Sequence, residues 1–236
     1  MAESSTLAIA MNIFTAPSAA FSALKERPRV WLPLLLLLGG YAAVNVVYVN
    51  SVDMGWFMET QLASNPALTV AQREQFVTAA ANRSPAFYGA IGVVGTSLFI
   101  LLVLFLTSLY YTIVSFVSHD GVKLKQWFAF VWWCTLPVVF GLAATLVNLS
   151  IQDARFMLQD AINPLAFGNL LAIERTAATP AMSRILLGLD LFTIWSLALS
   201  AIGYQQWTGK SFVKSVAVVL GPLALIVVIA ALVAMR

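Results

Sequence analysis

The chain has one cysteine, one histidine and little charge, and each scarcity removes a class of function. A lone Cys134 excludes a disulfide within the chain and a thiolate metal site, and its apolar neighbours mark it as a small core residue. A lone His119 leaves a metal hydrolase or a serine-histidine protease resting on one side chain. Ser118-His119-Asp120 holds the residue types of a catalytic triad, but three consecutive loop residues do not form a nucleophile, a base and its orienting group. Asp120-Gly121 reads more simply as a turn. Neither a metal nor a cofactor is expected, and the chain is not expected to be an enzyme. Charged residues make up 10% of the 236 and hydrophobic ones 61%, which leaves a soluble domain without a polar surface. The net charge of +3 comes from dispersed basic residues, so nucleic acid is not expected and lipid headgroups are the anionic neighbours.

What is abundant is long apolar sequence. Five stretches, Val30 to Val49, Phe87 to Val117, Phe128 to Ile151, Ile185 to Tyr204 and Ser215 to Met235, are each long enough to cross a bilayer, since about 20 helical residues bridge ~30 Å of hydrocarbon. The expected fold is all-α: a polytopic membrane protein of five transmembrane helices with short interfacial or amphipathic helices. Residues 1–29 read as a cytosolic N-terminal interfacial segment, and 30–236 as one five-span helical membrane domain. The first apolar run begins after Lys25, Arg27 and Arg29 and ends in Tyr48-Val49-Asn50-Ser51-Val52 without a small-x-small cleavage pattern, so it reads as a retained span.

Basic residues favour cytoplasmic loops. Lys25, Arg27 and Arg29, then Lys123 and Lys125, then Lys210 and Lys214 fall on one side and are dense in short segments; Arg73, Arg83, Arg155, Arg175 and Arg184 are spread over long loops on the other. This pattern predicts an N-terminus in the cytoplasm and a C-terminus outside, in the cell membrane.

Several loop features have local signatures. Thr15-Ala16-Pro17 predicts a helix start, with Phe14, Phe21 and Leu24 on one face, either lying on the inner membrane surface or packing against the bundle. Thr69-Val70-Ala71-Gln72 is a capping box that predicts a helix to about Asn82, with Pro85 breaking the chain before the second span. The loop from Gln152 to Ser183 alternates apolar and charged residues and predicts one or two amphipathic helices, followed by a Thr179-Pro180 cap.

Asp190 is the acid that falls inside a predicted span, where an unpaired carboxylate is costly. Thr193, Ser196, Ser200 and Gly203 follow it on one helical face, and the topology brings Asn45 and Asn148 to a similar depth, with Tyr88 and Thr96 near enough to join. Two readings stand: a hydrogen-bonded polar knot that fixes helix register, or a proton or substrate site. An intramembrane aspartyl protease would need a second carboxyl in a span, and none is present. Pro137 and Gly221-Pro222 predict helix kinks within the third and fifth spans. Gly39, Gly40 and Ala43, Gly89, Gly92 and Thr96, and Gly141 with Thr145 are small residues spaced for helix contacts.

Ile13-Phe14-Thr15-Ala16-Pro17 with Phe21, Leu189-Asp190-Leu191-Phe192-Thr193-Ile194-Trp195-Ser196, Gly203-Tyr204, Thr208-Gly209-Lys210-Ser211 and the proline of the fifth span form a recurring layout. In these segments the chain resembles the compact bacterial form of the Yip family, membrane proteins named for interaction with Ypt/Rab GTPases, from about Phe14 to Leu232. The resemblance implies a five-span bundle acting as an adaptor or membrane organiser in trafficking, with no catalytic residues. Eukaryotic members carry a longer N-terminal region with an Asp-Leu-Tyr-Gly-Pro-like segment; this chain shows none, so GTPase binding is not expected of it. Thr208-Gly209-Lys210-Ser211 lacks the preceding glycine-rich loop of a nucleotide site and reads as a loop. The partners expected are membrane lipids and other membrane proteins or further copies of the chain. The alternative is a small transporter or lipid-handling protein using Asp190 between helices.

Overall fold

A computed structural model describes residues 5–63, 67–173 and 188–234. Its elements are helices: α1 (Thr6–Thr15), α2 (Pro17–Glu26), α3 (Trp31–Ser51), α4 (Met54–Leu62), α5 (Val70–Ala81), α6 (Pro85–Val117), α7 (Leu124–Cys134), α8 (Val138–Ile151), the single turn α9 (Phe167–Leu170), α10 (Leu191–Thr208) and α11 (Phe212–Ala234). Among the described residues, four runs are long and apolar enough to cross a membrane: α3, α6, Leu124–Ile151 and Phe212–Ile229. The protein is an all-α polytopic membrane protein. The 33 residues of α6 extend ~50 Å at ~1.5 Å per residue, well beyond ~30 Å of hydrocarbon. The fourth expected stretch begins outside the described residues and is represented by α10, whose last turns are made polar by Gln205, Gln206 and Thr208.

Helix boundaries follow local chemistry. Thr69 Oγ1 accepts from the Gln72 N–H while Gln72 Oε1 accepts from the Thr69 N–H, so the expected capping box opens α5. Pro85 opens α6 as its first residue, a position where the missing N–H has no partner to lose. Pro137 stands in the three-residue break between α7 and α8, where the Leu136, Val138 and Val139 N–H groups donate three residues back instead of four. Pro222, by contrast, lies within α11, which continues through it. At the end of α6, His119 takes a left-handed conformation (φ 56°) and the Asp120 N–H donates to Ser115 O, closing the helix.

Two departures from expectation have clear causes. Residues 6–15 form α1, a helix that the start signal at Thr15-Ala16-Pro17 did not reveal. The third loop is turns rather than amphipathic helices over residues 152–173, with α9 its one helical turn. Asn163, Pro164 and Gly168 favour turns, and the asparagine amides offer the backbone an alternative to helical bonding. The Thr179-Pro180 cap lies outside the described residues.

The chain divides into two compact units, one of Met1–Leu38, Leu98–Val139 and Leu191–Arg236, the other of Gly39–Ser97 and Phe140–Asp190. The first has an aromatic core. Trp127 is stacked between Tyr111 (centroids 5.1 Å apart) and Tyr204 (5.5 Å), with Phe130 at 5.2 Å and Trp207 at 5.3 Å. Phe21 joins through Phe130 at 5.3 Å. Gly203 admits this packing: a Cβ there would stand 2.5 Å from the Phe130 ring and 2.8 Å from that of Phe21. Cys134 is a buried member of the same core.

In the second unit, α4 and α5 pair, and small residues permit close helix approach. A Cβ on Gly40 would lie 2.9 Å from Leu142 of α8, one on Gly89 would lie 3.5 Å from Val49 of α3, and one on Gly92 would run into the Asn45 amide.

Candidate functional site

Asp190 is the residue before α10. It is 4% exposed. Its Oδ2 accepts a hydrogen bond of 2.9 Å from Asn163 Nδ2. Its backbone forms an antiparallel bridge with Ala166, and the Phe167 N–H donates to Leu189 O at 2.9 Å. The acid therefore sits at the junction of α10 with the loop between α8 and α10.

Asparagines organise that loop. Asn163 Oδ1 accepts from the Leu165 N–H at 3.0 Å, a local turn that leaves the Nδ2 group for Asp190. Asn169 Nδ2 donates to Ala161 O and Asn163 O at 3.1 and 2.6 Å. Asn148, buried on α8, donates its Nδ2 to Ile162 O at 3.0 Å. Two of the expected cluster residues, Asn148 and Asp190, thus converge on adjacent residues of one loop, Ile162 and Asn163. Further fastenings hold the earlier part of the segment: Tyr48 donates to Met157 O at 2.9 Å, the Asp53 N–H donates to Arg155 O at 3.0 Å, and Trp56 meets Phe156 edge-on at 5.6 Å.

The other expected members lie elsewhere. Asn45 is buried with its amide over Gly92, and its Oδ1 has no hydrogen-bond partner. Tyr88 donates to Ala80 O. Thr193 and Ser196 belong to the aromatic unit, and Ser196 donates to Phe192 O, four residues back in its own helix. Asn163 and Asn169 escaped the sequence reading because they lie in a loop; the Asn163-Pro164 pair was their one local signal, a turn marker.

Ser118-His119-Asp120 assembles no triad. Asp120 turns its nearly buried carboxylate to Lys210, with Oδ1 3.1 Å from Nζ, and His119 is a turn residue. A shallow hollow of about 410 Å³ lies beside it, lined by Thr112, Ser115, Phe116, His119, Gly121 and Val122. Among the described residues no three His, Cys, Asp or Glu side chains gather as a metal site requires.

Comparison with known proteins agrees with the layout of this fold. The family model of the Yip1 domain matches residues 11–235. Membrane protein YknW of Bacillus subtilis (strain 168) is 26% identical over 200 residues, which cover 85% of this chain and 78% of that protein. No solved structure matches the chain. The matched span takes in almost every helix described above, and the chain belongs to the Yip1-domain family of integral membrane proteins.

Proposed function

We propose that the chain acts as a non-enzymatic adaptor or membrane-organising protein, holding lipids and other membrane proteins, or further copies of itself, against its helices. One observation carries this reading: Asn163 donates to the Asp190 carboxylate, and Asn148 and Asn169 donate to the backbone carbonyls of residues 161–163. A brace of this kind fixes a loop. A solute site needs polar groups that release their partners when the solute arrives, and here release would unfasten the loop. The transporter or lipid-handling alternative requires the Asp190 carboxylate to give up the Asn163 amide, and the adaptor reading requires no such exchange.

The arrangement supported by charge has the N-terminus in the cytoplasm and the C-terminus outside the cell membrane, because Lys123 and Lys125, and Lys210 and Lys214, cluster at the starts of α7 and α11. Reporter fusions after Gly209 and after Ala234 test it, the first expected on the cytoplasmic side and the second outside.

The decisive experiment joins photo-crosslinking in intact cells to flux measurements in proteoliposomes. Asp190→Asn keeps the size of the side chain and removes its charge. The variant is expected to capture the same neighbours as the parent chain, with no pH-dependent flux in either protein. A flux that Asp190→Asn abolishes overturns the adaptor reading in favour of transport.

A further inference from the structure

We infer that α1 and α2 form a re-entrant hairpin that dips into one leaflet of the bilayer and returns, presenting Leu7 and Met11 to lipid acyl chains. The inference is independent of whether the chain is an adaptor or a transporter.

The register of α2 against α10 shows the depth. Phe14, at the turn between α1 and α2, packs edge-on against Trp195 near the start of α10, with ring centroids 5.3 Å apart. Seven residues later the Phe21 ring fills the space over Gly203. Ser22 Oγ then accepts from Gln206 Nε2 at 3.2 Å, Phe21 O accepts from Trp207 Nε1 at 2.8 Å, and Lys25 Nζ donates to Trp207 O at 2.6 Å. Residues 14 to 25 therefore run parallel to residues 195 to 207. The turn lies ~20 Å along α10 from Thr208, at ~1.5 Å per residue.

α1 returns the chain to the same end. Arg29 Nη1 reaches Thr6 Oγ1 at 3.4 Å, so the first turn of α1 lies beside the exit of α2, and α1 runs from there down to Phe14. The hairpin mouth holds Lys25, Arg27 and Arg29 and is tied to α7 by Gln126 Nε2 donating to Lys25 O at 2.7 Å and Trp133 Nε1 donating to Arg29 O at 2.6 Å. α2 alone spans ~15 Å, about half of the ~30 Å hydrocarbon layer. A mouth at the headgroups thus places the apex near the bilayer middle.

α10 packs beside α11, one of the helices long and apolar enough to span, which sets this whole register within membrane depth. The hairpin residues suit that place. Ile9, Ile13, Ala20, Phe21 and Leu24 are buried in the aromatic core, while Leu7 and Met11 on the opposite face of α1 are 67% and 69% exposed. Outward apolar side chains at this level have acyl chains as their neighbours. Most backbone donors at the apex are met, as lipid demands: the Ala16 N–H donates to Asn12 O, Pro17 has no N–H, and the Ala19 and Ala20 N–H groups donate to Ala16 O, which leaves the Ser18 N–H as the exception. The exposed Thr15 hydroxyl bonds back to Met11 O. The basic residues at the mouth place positive charge where anionic headgroups lie.

Single cysteines introduced at Leu7, Met11 and Thr15 in a Cys134→Ala background test the inference, because all three positions are exposed and leave the core untouched. Each is labelled with bimane in the folded protein, reconstituted into phosphatidylethanolamine and phosphatidylglycerol vesicles, and quenched by lipids carrying a spin label at the headgroup or deep in the acyl chain. The expected result is a depth order of residue 15 below residue 11 below residue 7, with Ile194→Cys on α10 matching residue 15. Residues 11 and 15 should also lose reactivity toward a membrane-impermeant maleimide, while Gly121→Cys keeps it. Equal shallow depths for residues 7, 11 and 15, as a helix lying flat on the surface would give, overturn the inference. Retention of impermeant-reagent reactivity at residues 11 and 15 overturns it as well.

Discussion

The aromatic unit and the loop-rich unit reach order by opposite routes. In the first, Phe21, Tyr111, Trp127, Phe130, Tyr204 and Trp207 from four helices fill one volume, and Gly203 is small because rings occupy its side-chain space. In the second, the segment from Arg155 to Leu170 has little helix and is held by directional bonds from Tyr48, Asn148, Asn163, Asn169 and Asp190. Packing energy grows with volume and tolerates small angular errors. Hydrogen-bonded fastening depends on which atom faces which. The difference predicts that one unit responds to lost or added volume and the other to a change of chemistry at constant volume.

Removal of volume from the aromatic unit has the largest expected effect. Trp127→Ala deletes both stacked contacts and the edge contact to Phe130, and truncating a buried aromatic costs ~3–5 kcal/mol. Thermal unfolding of the detergent-solubilised protein, followed by size-exclusion chromatography, should show a large drop in midpoint. A midpoint close to that of the parent chain would mean that the rings are neighbours without being a core.

Added volume sharpens the contrast between two glycines. Gly203→Ala places a methyl group against Phe130 and Phe21, and overpacking costs about 1–3 kcal/mol. Gly39→Ala, in the other unit, meets nothing within 4 Å and replaces a helical glycine by a better helix former. The same melting assay should therefore lower the first midpoint and leave the second unchanged or slightly raised.

Chemistry at near-constant volume is the test of the loop-rich unit. Asn163→Leu removes the acceptor for the Leu165 N–H and the donor to Asp190, for which ~1–2 kcal/mol is expected. Limited proteolysis should cut residues 161–169 faster, while amide exchange in α7 and α10 stays as in the parent chain. Faster exchange in α7 would show that the brace supports the aromatic core as well, and the division of labour would fail.

These routes also explain what could be read from sequence. Lipid imposes length and apolarity on consecutive residues, so α3, α6, Leu124–Ile151 and α11 stand out as local runs. The capping box at Thr69 and Gln72 is equally local, closed within four residues. Asp190 attracted attention because an acid in an apolar run is rare, and Asn148 does reach the same loop, but the bond between Asp190 and Asn163 crosses 27 residues of chain. Nothing near Asn163 except its turn-forming proline marked it. The aromatic core was hidden for the same reason, since Phe21 and Trp207 are 186 residues apart and no periodicity links them. α1 was missed because its ten residues are apolar on both faces, one packed inward and the other exposed.

The smallest expected effect is the most local. Thr69→Ala removes the hydroxyl that accepts from the Gln72 N–H but leaves the Gln72 amide oxygen able to accept from the residue 69 N–H, so half of the capping box survives. Loss of such a cap costs ~1 kcal/mol, and Thr69 and the first turn of α5 are exposed, with no aromatic packing to transmit the change. Amide exchange at residues 70–73 should rise while the global melting midpoint and exchange in α10 hold steady. A fall in midpoint comparable with that of Trp127→Ala would show the α4–α5 pair to be as much a part of the cooperative core as the rings, and the contrast between a volume-filled unit and a bond-fastened one would not stand.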